Sequence, residues 1–327
     1  MDENLHEYSA EQEIHDVSMN APHLVILGAG ASRAAFPDGI NGYRIPLMKD
    51  LIQCVGLEDI LKKHGVKVTD QNFEALYSSL AEGPNDIALL ELINEKLINY
   101  FQRLALPEGP TIYDYLLLCL RKKDVIATFN WDPFLFDACL RNHKYAELPH
   151  VLYLHGNVRI GYCLKDMSKG LVGTRSLKSG DFFIPSKLLY PVKKKGYADD
   201  PFIKGEWDDF KRALSHAYIL TIFGYGAPSM DVEAIDIMKT AWGPSTKREM
   251  EEIEIVDIKP ENEMVDTWAD LIHSHHYRAI PQFYDSWMVK HPRRTCDAMW
   301  AQLMDAKFIE ENPIPTDLTP SAVPLLS

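Results

Sequence analysis

Cysteine is scarce: the 327 residues hold five, at positions 54, 119, 139, 163 and 296. No two lie within four residues of each other, so the paired spacing of a zinc ribbon is missing and no zinc is expected. Their apolar neighbours, as in "LLLCL" and "FDACL", predict buried thiols. An odd count with no signal peptide predicts a reducing compartment and a cytoplasmic protein. No apolar run reaches the roughly 18 residues that a membrane-spanning helix needs, so no membrane contact is expected. Positive charge is also short, with 34 Lys and Arg against 47 Asp and Glu and a net charge of -13. That balance excludes a broad nucleic-acid-binding face. The only dense basic run, Lys193 to Lys195, reads as a solvated loop.

What the chain does hold is an ordinary globular composition, 46% hydrophobic and 25% charged. Residues 1–20 are polar and acidic, and are expected to form a mobile or partner-binding arm. Residues 311–327 carry Pro313, Pro315, Pro320 and Pro324 and predict an extended tail. Between them, short apolar runs alternate with helical patterns. The runs are "HLVILG" (23–28), "DVIATF" (124–129), "HVLYLH" (150–155), "YILTIFG" (218–224), "IEIVDI" (253–258) and the weaker "HYRAI" (276–280). Continuous β-branched runs belong to strands buried on both faces, as in parallel sheets.

The alternation predicts an α/β fold, a doubly wound, mostly parallel, Rossmann-like sheet in one domain over residues 21–310. A helical insertion is expected at about 57–122, where "FEALYSSLAE", "DIALLELINEKLINYFQRLAL" and "TIYDYLLLCLRKK" follow the helical period. A stretch rich in Gly, Lys and Pro at about 160–205 predicts an irregular flap.

The first run ends in "GAGAS", Gly28 to Ser32, at the mouth of a helix. Glycines there permit positive φ and close approach, and free N–H groups favour an anion. The third glycine of a dehydrogenase fingerprint is replaced by Arg33, and the Gly-Lys-Ser/Thr of a P-loop is missing. Ligands of such sheets bind beyond the carboxyl ends of the strands. The second run leads to Asn130, aimed at the crevice, and to Asp132, which reads as a helix cap with Pro133 at the first helical position. The third leads to His155, whose ordinary pKa suits general-base work. The fourth leads to Gly224, which would let a ligand approach, and to Asp231, read as a helix cap. The fifth leads to Asp257, placed to take a ribose hydroxyl, or to serve no function at the surface.

In this order, "GAGAS", "TFNWD", "YLHG", "FGYGAPSMD" and "IVDIK" resemble the sirtuin-like family over roughly residues 23–260. The asparagine-aromatic-aspartate triplet and "FIPSKLLYPVKKK" are closer to its bacterial antiphage-defence branch than to its protein deacylases. Glu74 in "NFEALYSSL" matches a recurring acidic residue of that branch's helical insert. Three departures stand out: only Cys163 falls where the deacylases carry four zinc cysteines, "PDGINGYRIPLMKDL" replaces a tighter turn, and Gly226 stands where serine is usual.

The resemblance implies NAD as substrate, cleaved between nicotinamide and ribose through an oxocarbenium-like transition state. It assigns the pyrophosphate to Gly28, Ala29, Gly30 and Ser32, with Thr128, Gly224, Tyr225 and Asp257 as further contacts. Asn130 would orient the ribose or the attacking water, Asp132 would support it, and His155 would accept a proton. The implied product is ADP-ribose, and the implied role is abortive infection. The activity is normally latent, released by homo-oligomer assembly or by a partner such as a defence ATPase. The alternatives are a non-catalytic sensor of NAD or ADP-ribose and, less favoured because the zinc cysteines are missing, an NAD-dependent protein deacylase.

Overall fold

The computed structural model describes residues 7–9, 11–12, 17–68, 72–83, 87–192, 195–228, 231–248, 250–273 and 275–315. Lys193 and Lys194 of the basic run, Ser229 and Met230 of "FGYGAPSMD", and Pro320 and Pro324 of the tail lie outside the described residues, as does most of the N-terminal arm.

The apolar runs become the strands β1 (His23–Leu27), β2 (Val125–Thr128), β3 (His150–Tyr153), β4 (Ile219–Phe223), β5 (Glu252–Val256) and β6 (Tyr277–Ile280). They pair in parallel in the order β6-β5-β4-β1-β2-β3. Counted from β3, this is the 3-2-1-4-5-6 order of the doubly wound Rossmann fold. β1 and β4 are buried along their whole length, so water never selects an alternating pattern and both faces read as apolar. The registers place Leu27 opposite Thr128 and Phe223, Thr128 opposite Tyr153, and Phe223 opposite Val256. The residues that follow these ends therefore share one edge of the sheet. Between β1 and β4 the strand order reverses, which is where such sheets bind their ligands.

Helix α1 (Ala29–Ala35) follows β1 directly. Before β2 come α2 (Leu51–Val55), α3 (Glu58–Lys63), α4 (Phe73–Glu82), α5 (Ile87–Gln102) and α6 (Ile112–Cys119). α5 buries Leu89, Ile93, Leu97 and Phe101, one side chain per turn, which is the helical period that the sequence carries. Asn72 caps α4 by accepting the N–H of Glu74 at 2.9 Å. The remaining crossovers are α7 (Phe134–Asn142), α8 (Pro201–His216), α9 (Val232–Trp242) and α10 (Glu261–Trp268).

The flap is more regular than its composition suggests. Ile160–Tyr162 pairs antiparallel with Lys169–Leu171 and with Ile184–Pro185. Residues 201–205, expected to be irregular, open α8 instead. The described parts of both termini are fastened to the body. Glu7–Tyr8 pairs with Phe308–Ile309, Asp297 accepts the N–H of Met19 at 2.7 Å, and Ile314 is buried in the core. Cys119, Cys163 and Cys296 are buried and Cys54 and Cys139 half-buried, all as free thiols. Among the described residues, no helix is long and apolar enough to cross a membrane.

Candidate functional site

The glycine turn is shaped first by the chain itself. The N–H of Gly28 donates to the Phe223 carbonyl at 3.0 Å, and that of Gly30 to the Gly224 carbonyl at 2.9 Å. A Cβ on Gly30 would lie 2.7 Å from the Gly224 Cα, and one on Gly28 would lie 2.6 Å from the Tyr225 Cα. The tips of β1 and β4 thus touch backbone to backbone. Gly224, expected to let a ligand approach, has a role within the chain itself: with a φ of 61° and a Cβ position 2.1 Å from the Ala31 nitrogen, it makes room for α1. Two of the N–H groups expected to bind an anion are likewise committed to carbonyls. Ala29 and Gly30, half-buried, are the part of the turn open to solvent.

Behind the turn lies a closed hydrogen-bond cluster. Ser32, fully buried, donates its hydroxyl to Asp132 Oδ2 at 2.6 Å, receives Asn130 Nδ2 at 3.1 Å and meets the Tyr113 hydroxyl at 2.5 Å. A hydroxyl has one donor and two acceptor sites, so these three contacts use the Ser32 hydroxyl within the chain. Asn130 also donates to the Gly28 carbonyl at 3.0 Å, and its own N–H donates to Thr128 Oγ1 at 3.0 Å. Thr128 is therefore a brace for Asn130. Asp132 does help to cap α7, accepting the Phe134 N–H at 3.3 Å, but Pro133 occupies the cap position itself. Burial pushes the Asp132 carboxyl up to about 6, against the Ser32 hydrogen bond that lowers it. Asn157, which sequence reasoning passed over, ties the tips of β2 and β3 by donating to the Asp132 carbonyl at 2.6 Å.

A second cluster adjoins the first. The Phe129 ring stacks on Tyr225 at 4.2 Å and stands edge-on to His155 at 4.8 Å. His155 Nε2 lies 3.3 Å from the Tyr197 hydroxyl. Tyr225 donates its hydroxyl to Asp231 Oδ2 at 2.7 Å, and Asp231 Oδ1 accepts a short hydrogen bond from Lys195. Lys195 is 6% exposed and Asp231 5%, so this is a buried ion pair. Both residues correct the sequence reading. Lys195 is not solvated, and Asp231, although it occupies the cap position of α9, makes no side-chain cap hydrogen bond. Burial pushes His155 down to about 4; Asp231 raises it and Lys195 lowers it. The imidazole is neutral at pH 7 and a weaker base than expected.

Asn130 and His155 thus follow paired strands and belong to abutting clusters, while each has its own hydrogen-bond partners. The Asp257 carboxylate accepts the Lys259 N–H at 3.1 Å, and among the described residues no hydrogen bond joins it to another candidate. No group of His, Cys, Asp and Glu suited to a metal ion occurs among the described residues.

No protein-family model matches this chain, and no curated protein does. Solved structures similar to it include Sir2 sirtuins. One, from work on the mechanism and regulation of Sir2 enzymes, is 15% identical over 84% of this chain and 90% of its own, with a TM-score of 0.39. Another, from work on sirtuin substrate affinity, is 16% identical over 80% and 89%, with a TM-score of 0.39. A Sir2 complex with a p53 peptide and NAD+ is 13% identical over 90% and 96%, with a TM-score of 0.35.

Proposed function

We propose that this chain is an NAD glycohydrolase that releases nicotinamide and ADP-ribose. One observation carries the reading: Asn130, His155, Tyr225 and a buried Lys195–Asp231 pair converge on the carboxyl edge of a 3-2-1-4-5-6 sheet, beside the reversal of strand order. Buried charge is costly, and such groups cluster at functional sites. The nicotinamide leaves as a neutral base, so the site needs no strong acid. It needs the ribose held and water aimed at it. In this reading the exposed part of the glycine turn, at Ala29 and Gly30, faces the pyrophosphate. Asn130, braced by Gly28 and Ser32, fixes the ribose. Neutral His155 accepts a hydrogen bond from a ribose hydroxyl.

The test is purified protein incubated with NAD, with products separated by chromatography. Asn130→Ala and His155→Ala are each expected to slow nicotinamide release by about 10²-fold or more, with the circular dichroism spectrum retained. Wild-type rates in both variants would remove the site assignment. A second reading, a sensor that binds without turnover, is favoured by the internal commitment of Ser32, Thr128 and Asp132. Calorimetric binding of ADP-ribose by a wild type that leaves NAD intact would select it. The sequence resemblance extends the first reading to antiphage defence, with activity released by assembly of copies or by a partner protein. A fully active monomer in light scattering would remove that extension.

A further inference from the structure

The stretch of chain that leads into α8 reaches the second cluster twice, through Lys195 and Tyr197, both buried. Lys195 pairs with Asp231. Tyr197 meets His155: its hydroxyl lies 3.3 Å from Nε2, and its ring stacks against the imidazole at 6.0 Å. The contacts close into a circuit. Asp231 accepts the Tyr225 hydroxyl, Tyr225 stacks on Phe129, Phe129 stands edge-on to His155, and His155 returns to Tyr197. Trp207 of α8 buttresses it, packing on the Tyr197 ring at 4.2 Å and donating its indole N–H to the Leu154 carbonyl at 2.9 Å. The Leu189 N–H donates to the His155 carbonyl at 3.0 Å. The imidazole is thus held by its backbone, by two neighbouring rings and through one nitrogen. Among the described residues, no hydrogen bond engages the other nitrogen, Nδ1.

We propose that Tyr197 is the positioning residue of His155: its hydroxyl accepts the Nε2–H, so that the Nδ1 lone pair is offered to a ribose hydroxyl of NAD. The proposal rests on the glycohydrolase reading. A neutral imidazole carries one N–H and one lone pair, so the partner of one nitrogen fixes what the other can do. With Tyr197 donating instead, Nδ1 would carry the proton, and His155 could accept nothing from the ribose.

The surroundings suit this arrangement. Burial holds His155 neutral at pH 7, so it has the single proton that the choice of nitrogen requires. Burial raises the Tyr197 hydroxyl above its ordinary range, and the charges of Asp231 and Glu233 raise it further. Those negative charges favour a hydroxyl hydrogen turned towards them, which leaves the oxygen lone pairs to Nε2–H. Tyr197 acts on the ribose only through His155. The Lys195–Asp231 pair, two residues back along the chain, anchors the segment that carries it.

The experiment follows the His155 ring nitrogens by nitrogen NMR in the full chain at pH 7, their signals identified by their loss in His155→Gln. Beside it, kcat and KM for NAD are measured, and ADP-ribose affinity by calorimetry. Wild type is expected to show one neutral tautomer, protonated at Nε2. Tyr197→Phe keeps the ring and removes the hydroxyl. It is expected to mix the two tautomers and to lower kcat by about 10- to 10²-fold, with KM and ADP-ribose affinity unchanged. A wild-type kcat in Tyr197→Phe, or a lowered kcat with the tautomer unmoved, overturns the role of Tyr197 and spares the glycohydrolase reading. So does a wild type protonated at Nδ1. A wild type that binds ADP-ribose and cleaves no NAD overturns that reading and this proposal together. Should Tyr197→Phe fail to fold, the wild-type tautomer decides: a proton on Nε2 supports the proposal, and one on Nδ1 overturns it.

Discussion

Gly224 and Gly226 stand two residues apart and face different demands. A Cβ at Gly224 would sit 2.1 Å from the Ala31 nitrogen on a backbone with φ of 61°, whereas at Gly226 it meets only the end of the Lys259 side chain at 3.4 Å. Gly224→Ala is expected to cost about 2–5 kcal/mol through strain and overlap. Gly226→Ala should leave the urea midpoint unchanged; equal effects would discredit the contact between the tips of β1 and β4. At this scale the sequence was readable in residue type, while the partners of each residue were not. "GAGAS" and "FGYG" do announce close approach, but the partner is the other tip of the same chain. Asp231 looked like a helix cap because it precedes a helical pattern. Its hydrogen bonds go instead to Lys195, 36 residues away, and to Tyr225, a pairing that no local spacing encodes.

α8 carries a local signal that the expectation of an irregular flap to 205 passed over. Its start is written in the sequence as Asp200 followed by Pro201, a cap residue and then a proline whose missing N–H costs nothing in the first turn. Asp200 Oδ1 accepts the N–H groups of Phe202 at 2.9 Å and Ile203 at 3.0 Å. Asp200→Ala is expected to lower stability by about 1 kcal/mol, read from chemical denaturation. An unchanged midpoint would mean that packing of Phe202, Trp207 and Phe210 alone holds the helix. The flap, by contrast, gave little local signal. Its strands are two or three residues long, below the length at which alternation is visible, and they form because Ile160–Tyr162 finds partners on both sides.

Over the whole molecule, buried ionisable groups set a balance in pH. His23 is pushed down to about 3, chiefly by burial and further by Lys123 and Arg278, and burial pushes His155 and His291 down to about 4. The unfolded chain takes up protons on these groups below about 6.5 that the folded chain refuses. Each therefore lowers stability as pH falls from about 6.5 towards 4. Asp132, raised to about 6, and Glu74, raised to about 7, act with the other sign. Their folded forms hold protons that the unfolded chain has released, so they lower stability as pH rises from about 4.5 to 7. Glu74→Gln is thus expected to match wild type near pH 4.5 and to exceed it above pH 7 by on the order of 1–2 kcal/mol once solvent screening is allowed for. Urea denaturation at pH 5, 6, 7 and 8 checks this. A difference that stays constant with pH would mean that Glu74 is not held protonated by its surroundings.

Taken alone, the sequence determined the class of fold, the six strands and the chain positions that follow them. Burial on both faces writes continuous apolar runs, and a short crossover must be helical, so local periodicity carries that information. Only the tertiary structure decided which side chains serve one another at the edge where the strands end. Ser32 is sealed against Asn130 and Asp132, Lys195 is withdrawn from solvent onto Asp231, and Glu74 from the insertion is buried. These relations join residues far apart in the chain, and they depend on how much water each carboxyl and amine has lost, a quantity that exists only once the layers have packed.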